Sequence, residues 1–191
     1  LNYSTESSTG TEHFGGFCQN SVGETFITFT FFGSLIIEDL TFESNGGTDI
    51  VVAKYNESGW VWMQQGGGIG NDMTTGCVAG HENDIVIFGG FEGNATFGQY
   101  YTETSQWLDG VQATITTDGV WKAVNTEGGI GYEMFSGAYR TPSGSTIYAG
   151  ITTKGFTLGS ETLDEYDDDD TYFGTDIFLA EQNQTGNWDW A

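Results

Sequence analysis

Basic residues are nearly missing from this chain. Four Lys and Arg stand against 27 Asp and Glu over 191 residues, for a formal net charge of −23. Phosphate backbones are gripped by Lys and Arg, so nucleic acid is excluded as a partner. Anionic membrane surfaces are excluded for the same reason. No run of 18 apolar residues occurs, which excludes a helical membrane span and membrane insertion by that route. Proline occurs once, while glycine occurs 30 times and aromatics make up 15%. That balance argues against collagen and against disorder. A helical period is missing too. The best apolar run, ETFITFTFFGSLIIEDLTF at 24–42, is β-branched, aromatic and broken by Gly33.

Catalytic patterns are equally scarce. The two histidines, His13 and His81, belong to neither a G-x-S-x-G nor an H-E-x-x-H pattern. Acidic residues are too abundant to single out a glycosidase pair. The expectation is that the chain is not an enzyme. Leu1 is not an initiator Met, which fits a removed leader or a piece cut from a longer chain.

What is present is a repeat of Gly-punctuated Val, Ile, Thr, Phe, Tyr and Trp runs, the composition of short strands. TDIVVAKYNESGWVWM from Thr48 leads into GGGIGNDM and then DIVIFGGFEGNATFG. From Leu108 the chain reads LDGVQATITTDGVWKAV, EGGIGYEM and STIYAGITTKGFTLG. Asp49 matches Asp109, and Trp60 matches Trp121. A third copy opens with TDIFLAEQNQTGNWDWA at Thr175 and is continued by the first residues of the chain. The opening aspartates Asp49, Asp109 and Asp176 lie 60, 67 and, through the join, 64 residues apart. The predicted architecture is all-β: one repeat domain, 1–191, with units 48–107, 108–174 and 175–191 joined with 1–47. Each unit is expected to be a four-stranded antiparallel meander of propeller-blade type. The cut is circular, so that the C-terminal strands complete the N-terminal repeat. In the first full copy the predicted strands are 49–55, 60–64, 73–79 and 84–91, with Trp60 and Trp62 on one face.

At TDIVVAKYNESGWVW, GGGIGND and IVIFGGFEGNATFG the chain resembles the SBBP-type β-propeller repeat of bacterial and archaeal surface proteins. The resemblance covers nearly the whole chain. The second copy departs from it in opening with LDGVQATI and in carrying Ala123 at the second Trp position. The resemblance implies secretion, a scaffold or adhesion role, and no catalysis.

Candidate sites follow from residue type. The run Asp164, Glu165, Asp167, Asp168, Asp169 and Asp170 has the hard oxygen ligands that calcium prefers, but a plain acidic run is most often a solvated loop. No other cofactor is expected. The recurring acids Glu12, Asp72 and Glu133, and the opening aspartates, read most simply as acceptors for backbone N–H groups in tight turns. A ligand site repeated in each unit is the sharper reading. Trp60, Trp62, Trp121, Trp188 and Trp190 are expected in the core, whereas Tyr100, Tyr101 and Trp107 lie in an insert and suit exposed contact with a glycan. Cys18 and Cys77 occupy matched positions in two units, with Ala138 in the third. They are either two buried thiols or a disulfide between neighbouring units, which needs Cα atoms within about 7 Å. Asn2, Asn56, Asn94 and Asn183 head N-x-Ser/Thr sequons and lean the chain towards an extracellular or cell-surface location.

The cut repeat allows three outcomes. The ends can meet within one chain, the C-terminal piece can complete the next chain, or the 191 residues can be one period of a longer chain. The second makes the chain its own partner, with Trp188, Trp190, Ala191, Leu1 and Tyr3 at the junction. The leading expectation is therefore a structural subunit of an extracellular filament or appendage, assembling head to tail by strand complementation. The alternative is a glycan-binding, lectin-like propeller module assisted by calcium.

Overall fold

The computed structural model describes residues 10–163 and 174–191. The described chain is all-β, with one 3₁₀ turn at His81–Asn83 and no α-helix. Its strands follow one another in antiparallel successions of four. Run 1 consists of β1 (Thr11–Gln19), β2 (Thr25–Phe32), β5 (Asp49–Asn56) and β6 (Gly59–Gly68). Run 2 consists of β7 (Met73–Ala79), β8 (Ile85–Phe97), β9 (Tyr100–Ile115) and β10 (Trp121–Glu127). Run 3 consists of β11 (Glu133–Arg140), β12 (Thr146–Thr152), β15 (Asp176–Gln182) and β16 (Trp188–Trp190).

Between its second and third strands each run carries a short ribbon. In run 1 the ribbon is β3 (Ser34–Ile37) with β4 (Leu40–Glu43). In run 2 it is the far ends of β8 and β9, and in run 3 it is β13 (Phe156–Leu158) with β14 (Glu161–Leu163). The end of β6 also pairs with the end of β8, Gly66 opposite Phe97, and joins runs 1 and 2 into one curled eight-stranded sheet. Run 3 is a separate four-stranded sheet.

The hydrogen-bonded unit is out of phase with the repeat as cut at Thr48. Strands 49–55 and 60–64 appear as β5 and β6, but they finish run 1. Strands 73–79 and 84–91 appear as β7 and β8, but they begin run 2. The expectation that the C-terminal strands complete the N-terminal repeat is corrected in the same way. β15 pairs with β12, and β16 with β15, so Thr175–Ala191 supplies the last two strands of run 3. A repeat of four strands reads the same whichever strand is placed first. Only the pairing across the sheet sets the phase.

Trp60 and Trp62 lie on opposite faces rather than on one. Trp62 pairs opposite Lys54 and Trp60 opposite Tyr55, with a register shift between Lys54 and Tyr55. The extra residue of a bulge reverses the alternation of side chains beyond it.

Each sheet has two apolar faces, and the strand alternation decides what each one meets. The first cluster joins Phe26, Ile50 and Val52 of run 1 to Cys77, Ile85, Ile87, Val111, Ala113 and Ile115 of run 2. The second joins Val78 and Phe88 of run 2 to Phe135, Tyr148, Phe178 and Ala180 of run 3. We call the face that meets the following run the front and the face that meets the preceding run the back. In run 2 the back holds Ile85 and Ile87, and the front holds Val86 and Phe88. In run 3 Thr146, Tyr148 and Gly150 are on the back. The third cluster, with Phe31, Val51, Ala53 and Met63, lies on the back of run 1, together with Leu35 and Ile37 of its ribbon.

Candidate functional site

The joints between runs are the most elaborate features of the molecule. The run 1–run 2 joint is closed by a disulfide from Cys18 on β1 to Cys77 on β7, with Cα atoms 5.6 Å apart. The matched positions proposed from the sequence are off by one. Cys18 pairs with Phe26, whereas Cys77 pairs with Ile87, and in both runs the pairing shifts at a bulge. In this register Phe17, Cys77 and Ala138 are equivalent, and Cys18 is equivalent to Val78. The physical reason is simple. Equivalent residues point to the same face of every sheet, so two of them do not face each other across a joint. Cys18 is on the front of run 1 and Cys77 on the back of run 2.

Each joint also holds an acid pair. Asp49 opens β5, and Asp72 stands just before β7; both are fully buried. The Asp72 N–H donates to Thr48 O (2.7 Å), and Thr48 Oγ1 donates to Asp72 O (3.0 Å), which pins the two segments together. Gly67, between them, has φ +144°. A side chain there would lie within 3 Å of both carboxylates, so only glycine fits. Asp49 Oδ2 accepts from Asn45 Nδ2 (2.8 Å) and Gln65 Nε2 (2.5 Å). Asp72 Oδ2 accepts from the Gly68 N–H at 2.6 Å. Among the described residues neither Asp49 Oδ1 nor Asp72 Oδ1 accepts a hydrogen bond. Burial pushes the Asp49 carboxyl above its ordinary range. Burial, with the charges of Asp49 and Glu92 added, pushes Asp72 up to about 7.

The second joint repeats the arrangement with Asp109 and Glu133. Glu133 Oε2 accepts from the Gly129 N–H at 2.9 Å, and burial plus the nearby Asp109 charge raises its pKa. Leu108 bridges Tyr132 in parallel beside it. Asp72 and Glu133 therefore each accept a backbone N–H, as their residue type implies, whereas no such bond to Glu12 is present among the described residues. Their pairing with the opening aspartates is what the residue-by-residue reading missed. One signal of it was present: Asp72 follows Asp49 by 23 positions (72 − 49), and Glu133 follows Asp109 by 24 (133 − 109).

The remaining halves of this pattern sit at the two ends of the row of runs. Glu12 is equivalent to Asp72 and Glu133, and Asp176 to Asp49 and Asp109. Among the described residues, Glu12 Oε1 is buried and accepts no hydrogen bond, while Asp176 is exposed.

The outer faces are the second feature of these ends. On the front of run 3, Ile177 is 81% exposed, Tyr139 61%, Leu179 54% and Trp190 41%. Ile147, Ala149 and Ile151 lie on the same face by register. On the back of run 1, Phe14 and Phe17 are 63% and 70% exposed, and Phe14 packs edge-on against Phe29. Isolated exposed apolar residues are ordinary, but contiguous faces of this kind mark interaction sites.

The other sequence-derived candidates are scattered. Asp164, Glu165, Asp167, Asp168, Asp169 and Asp170 lie outside the described residues, as do Leu1, Asn2 and Tyr3. Trp188 is in the run 2–run 3 cluster; its Nε1 donates to Glu127 Oε1 (2.7 Å) and its ring stacks on Phe135. Trp190 donates to Glu181 Oε2 (2.6 Å), and Ala191 packs against the same cluster. Tyr100 packs on the first cluster, and Tyr101 is exposed and donates to Glu103 (3.0 Å). Trp107, half exposed, stacks on Tyr132 with ring centres 5.8 Å apart. Asn56 and Asn94 are exposed, whereas Asn183 is tied into its turn by Thr185 and Asn187.

No protein-family model matches the chain. No curated protein matches it either.

Proposed function

We propose that this chain is a structural module of β-propeller type that works outside the cell, as a subunit associating head to tail in a filament or appendage. One observation carries the reading: the front of run 3 is apolar and open, with Ile177, Tyr139 and Leu179 more than half exposed, and it is the face that in runs 1 and 2 seats the next run. On the back of run 1 Phe14 and Phe17 are exposed, while Phe31, Val51, Ala53 and Met63 are buried with Leu35 and Ile37 of the ribbon. Apolar area of this kind is stabilised by burial at about 25 cal/mol per Å². The SBBP-type resemblance, the exposed sequon residues Asn56 and Asn94, and a disulfide suited to an oxidising compartment support the extracellular placement.

The route of association on this reading is face on face. Each run of four strands is made up from within the chain, so a neighbour has a sheet to cover rather than a strand to supply. Light scattering of the purified protein over a concentration series tests this. The expected result is self-association that strengthens with salt, because screening weakens the repulsion between two copies of charge −23. Ile177→Glu is expected to abolish it while leaving the melting temperature unchanged, since that side chain is 81% exposed. A wild type that stays monomeric at every concentration and salt level would refute the assembly reading.

The Trp107–Tyr132 stack supports a second reading, glycan binding. Two half-exposed stacked rings form an apolar platform of the sort that sugars lie on. Trp107→Ala is expected to remove glycan-array signal if that reading holds. Arrays blank for the wild type would remove it.

A further inference from the structure

We propose that the joint between runs 1 and 2 binds a calcium ion, held by the carboxylates of Asp49 and Asp72. The ion sits within one chain, so it does not depend on the head-to-tail reading.

Three observations converge on it. First, the two acids are a buried pair of like charge without a counter-charge. Both are fully buried, and among the described residues no Lys, Arg or His makes an ion pair with either. Backbone N–H groups of Gly68 and Glu92 ease the Asp72 charge, but they do not cancel that of Asp49. Burying ionised carboxylates in this way is costly unless a proton or a cation joins them. Second, each acid keeps an oxygen, Asp49 Oδ1 and Asp72 Oδ1, that accepts no hydrogen bond among the described residues. Third, the carboxylates converge on one gap. Asp49 Oδ1 lies 2.8 Å, and Asp72 Oδ2 2.9 Å, from the point that a Cβ on Gly67 would take. Oxygens this near to one point are within reach of a single ion with bonds of about 2.3–2.6 Å.

The ligand chemistry selects calcium. Among the described residues no His, Cys or third acid completes a ready-made metal group. The remaining ligands are therefore neutral oxygens and water. Calcium accepts such a set in flexible geometry, whereas zinc takes His and Cys. The second joint supplies a contrast. Glu133 faces Thr152 in register, and both its oxygens are satisfied: Oε1 by the Thr152 hydroxyl (3.2 Å) and Oε2 by the Gly129 N–H (2.9 Å). Met73 pairs with Gly90, so Asp72, one residue earlier, faces Phe91, which has no hydroxyl to donate. The ion is therefore expected at the first joint, where it would tie β5 to the segment entering β7.

Thermal melts of the full chain at pH 8, first in EDTA and then in about 10 mM calcium, test this. Wild type is expected to gain about 5–10 °C, as linkage gives for an ion bound at about 0.1 mM. Asp49→Asn and Asp72→Asn should each gain no more than wild type gains in magnesium at the same concentration. That control measures the screening any divalent ion offers a chain of charge −23. Glu133→Gln, and a chain carrying Asp168→Asn, Asp169→Asn and Asp170→Asn together, should respond like wild type, which separates the joint from the acidic run. In EDTA, Asp72→Asn should melt above wild type, because the like charges are then bare. Equal gains in wild type and both single Asn variants would place the ion elsewhere and overturn the proposal. No gain in wild type would also overturn it, and would leave the pair to be relieved by a proton alone. The head-to-tail reading stands or falls separately, by light scattering.

Discussion

Replacing Cys18 and Cys77 together by Ala is expected to destabilise the fold by about 4 kcal/mol, from the loop-closure entropy of a link spanning 59 residues. For a chain of this size that is a fall in melting temperature of about 8–16 °C. Alanine is the right replacement. Ala138 already occupies the position equivalent to Cys77 in run 3, so the packed site accepts a small apolar side chain. The bond ties β1 to β7, the first strands of neighbouring runs. Its loss therefore acts on the run 1–run 2 joint, which the first apolar cluster and the Thr48–Asp72 hydrogen bonds must then hold unaided. Thermal melts of the double variant, with and without reductant, check this. The variant should be insensitive to reductant, while reduced wild type should approach it. A double variant melting with oxidised wild type would show that the link contributes nothing.

Asp72→Asn is expected to stabilise the protein above neutral pH. The wild-type carboxyl has a folded-state pKa near 7 against an ordinary value of 3.8, because it is buried beside Asp49. Below pH 4 both folded and unfolded chains carry the proton, and this group adds no pH dependence. Between about pH 4 and 7 the folded chain holds the proton and the unfolded chain does not, so stability falls as pH rises through this window. Above pH 7 the loss is complete, at roughly 4 kcal/mol for a gap of about three pH decades. Asn keeps an oxygen for the Gly68 N–H and brings an N–H₂ that can donate to Asp49. Urea unfolding from pH 4 to 8 measures the difference. The two proteins should nearly coincide at pH 4 and separate by pH 8, with the variant the more stable. The general self-repulsion of an acidic chain is present in both and cancels in the comparison. A variant less stable than wild type at pH 8 would mean that the charged pair is held by something other than the residues seen around it.

Much of the local structure was legible in the sequence. The strands predicted at 49–55 and 73–79 match β5 and β7 closely, because alternating β-branched and aromatic residues between glycine turns leave few other conformations. The recurring acids were legible as turn residues for the same local reason. The acid pairs were not, since Asp49 and Asp72 lie on different runs and meet only when one run folds against the next. The face of Trp60 was lost to a bulge opposite Tyr55, which the residue pattern does not mark. The two cysteines were drawn to one another by a sequence match that is one residue off, and their bond exists because they are not equivalent.

By itself the sequence determined an all-β chain, its turns and its acidity, since all of these follow from short-range preferences and composition. Only the tertiary structure decided where each run begins. A period is unchanged by shifting its origin, whereas hydrogen bonds between β6 and β8, the gap in pairing between β6 and β7, and the docking of β15 on β12 each select one origin. That choice gives Thr175–Ala191 its partners within the chain, as the last two strands beside β12, and leaves the exposed apolar side chains Ile177 and Leu179 on a sheet face rather than at a strand edge.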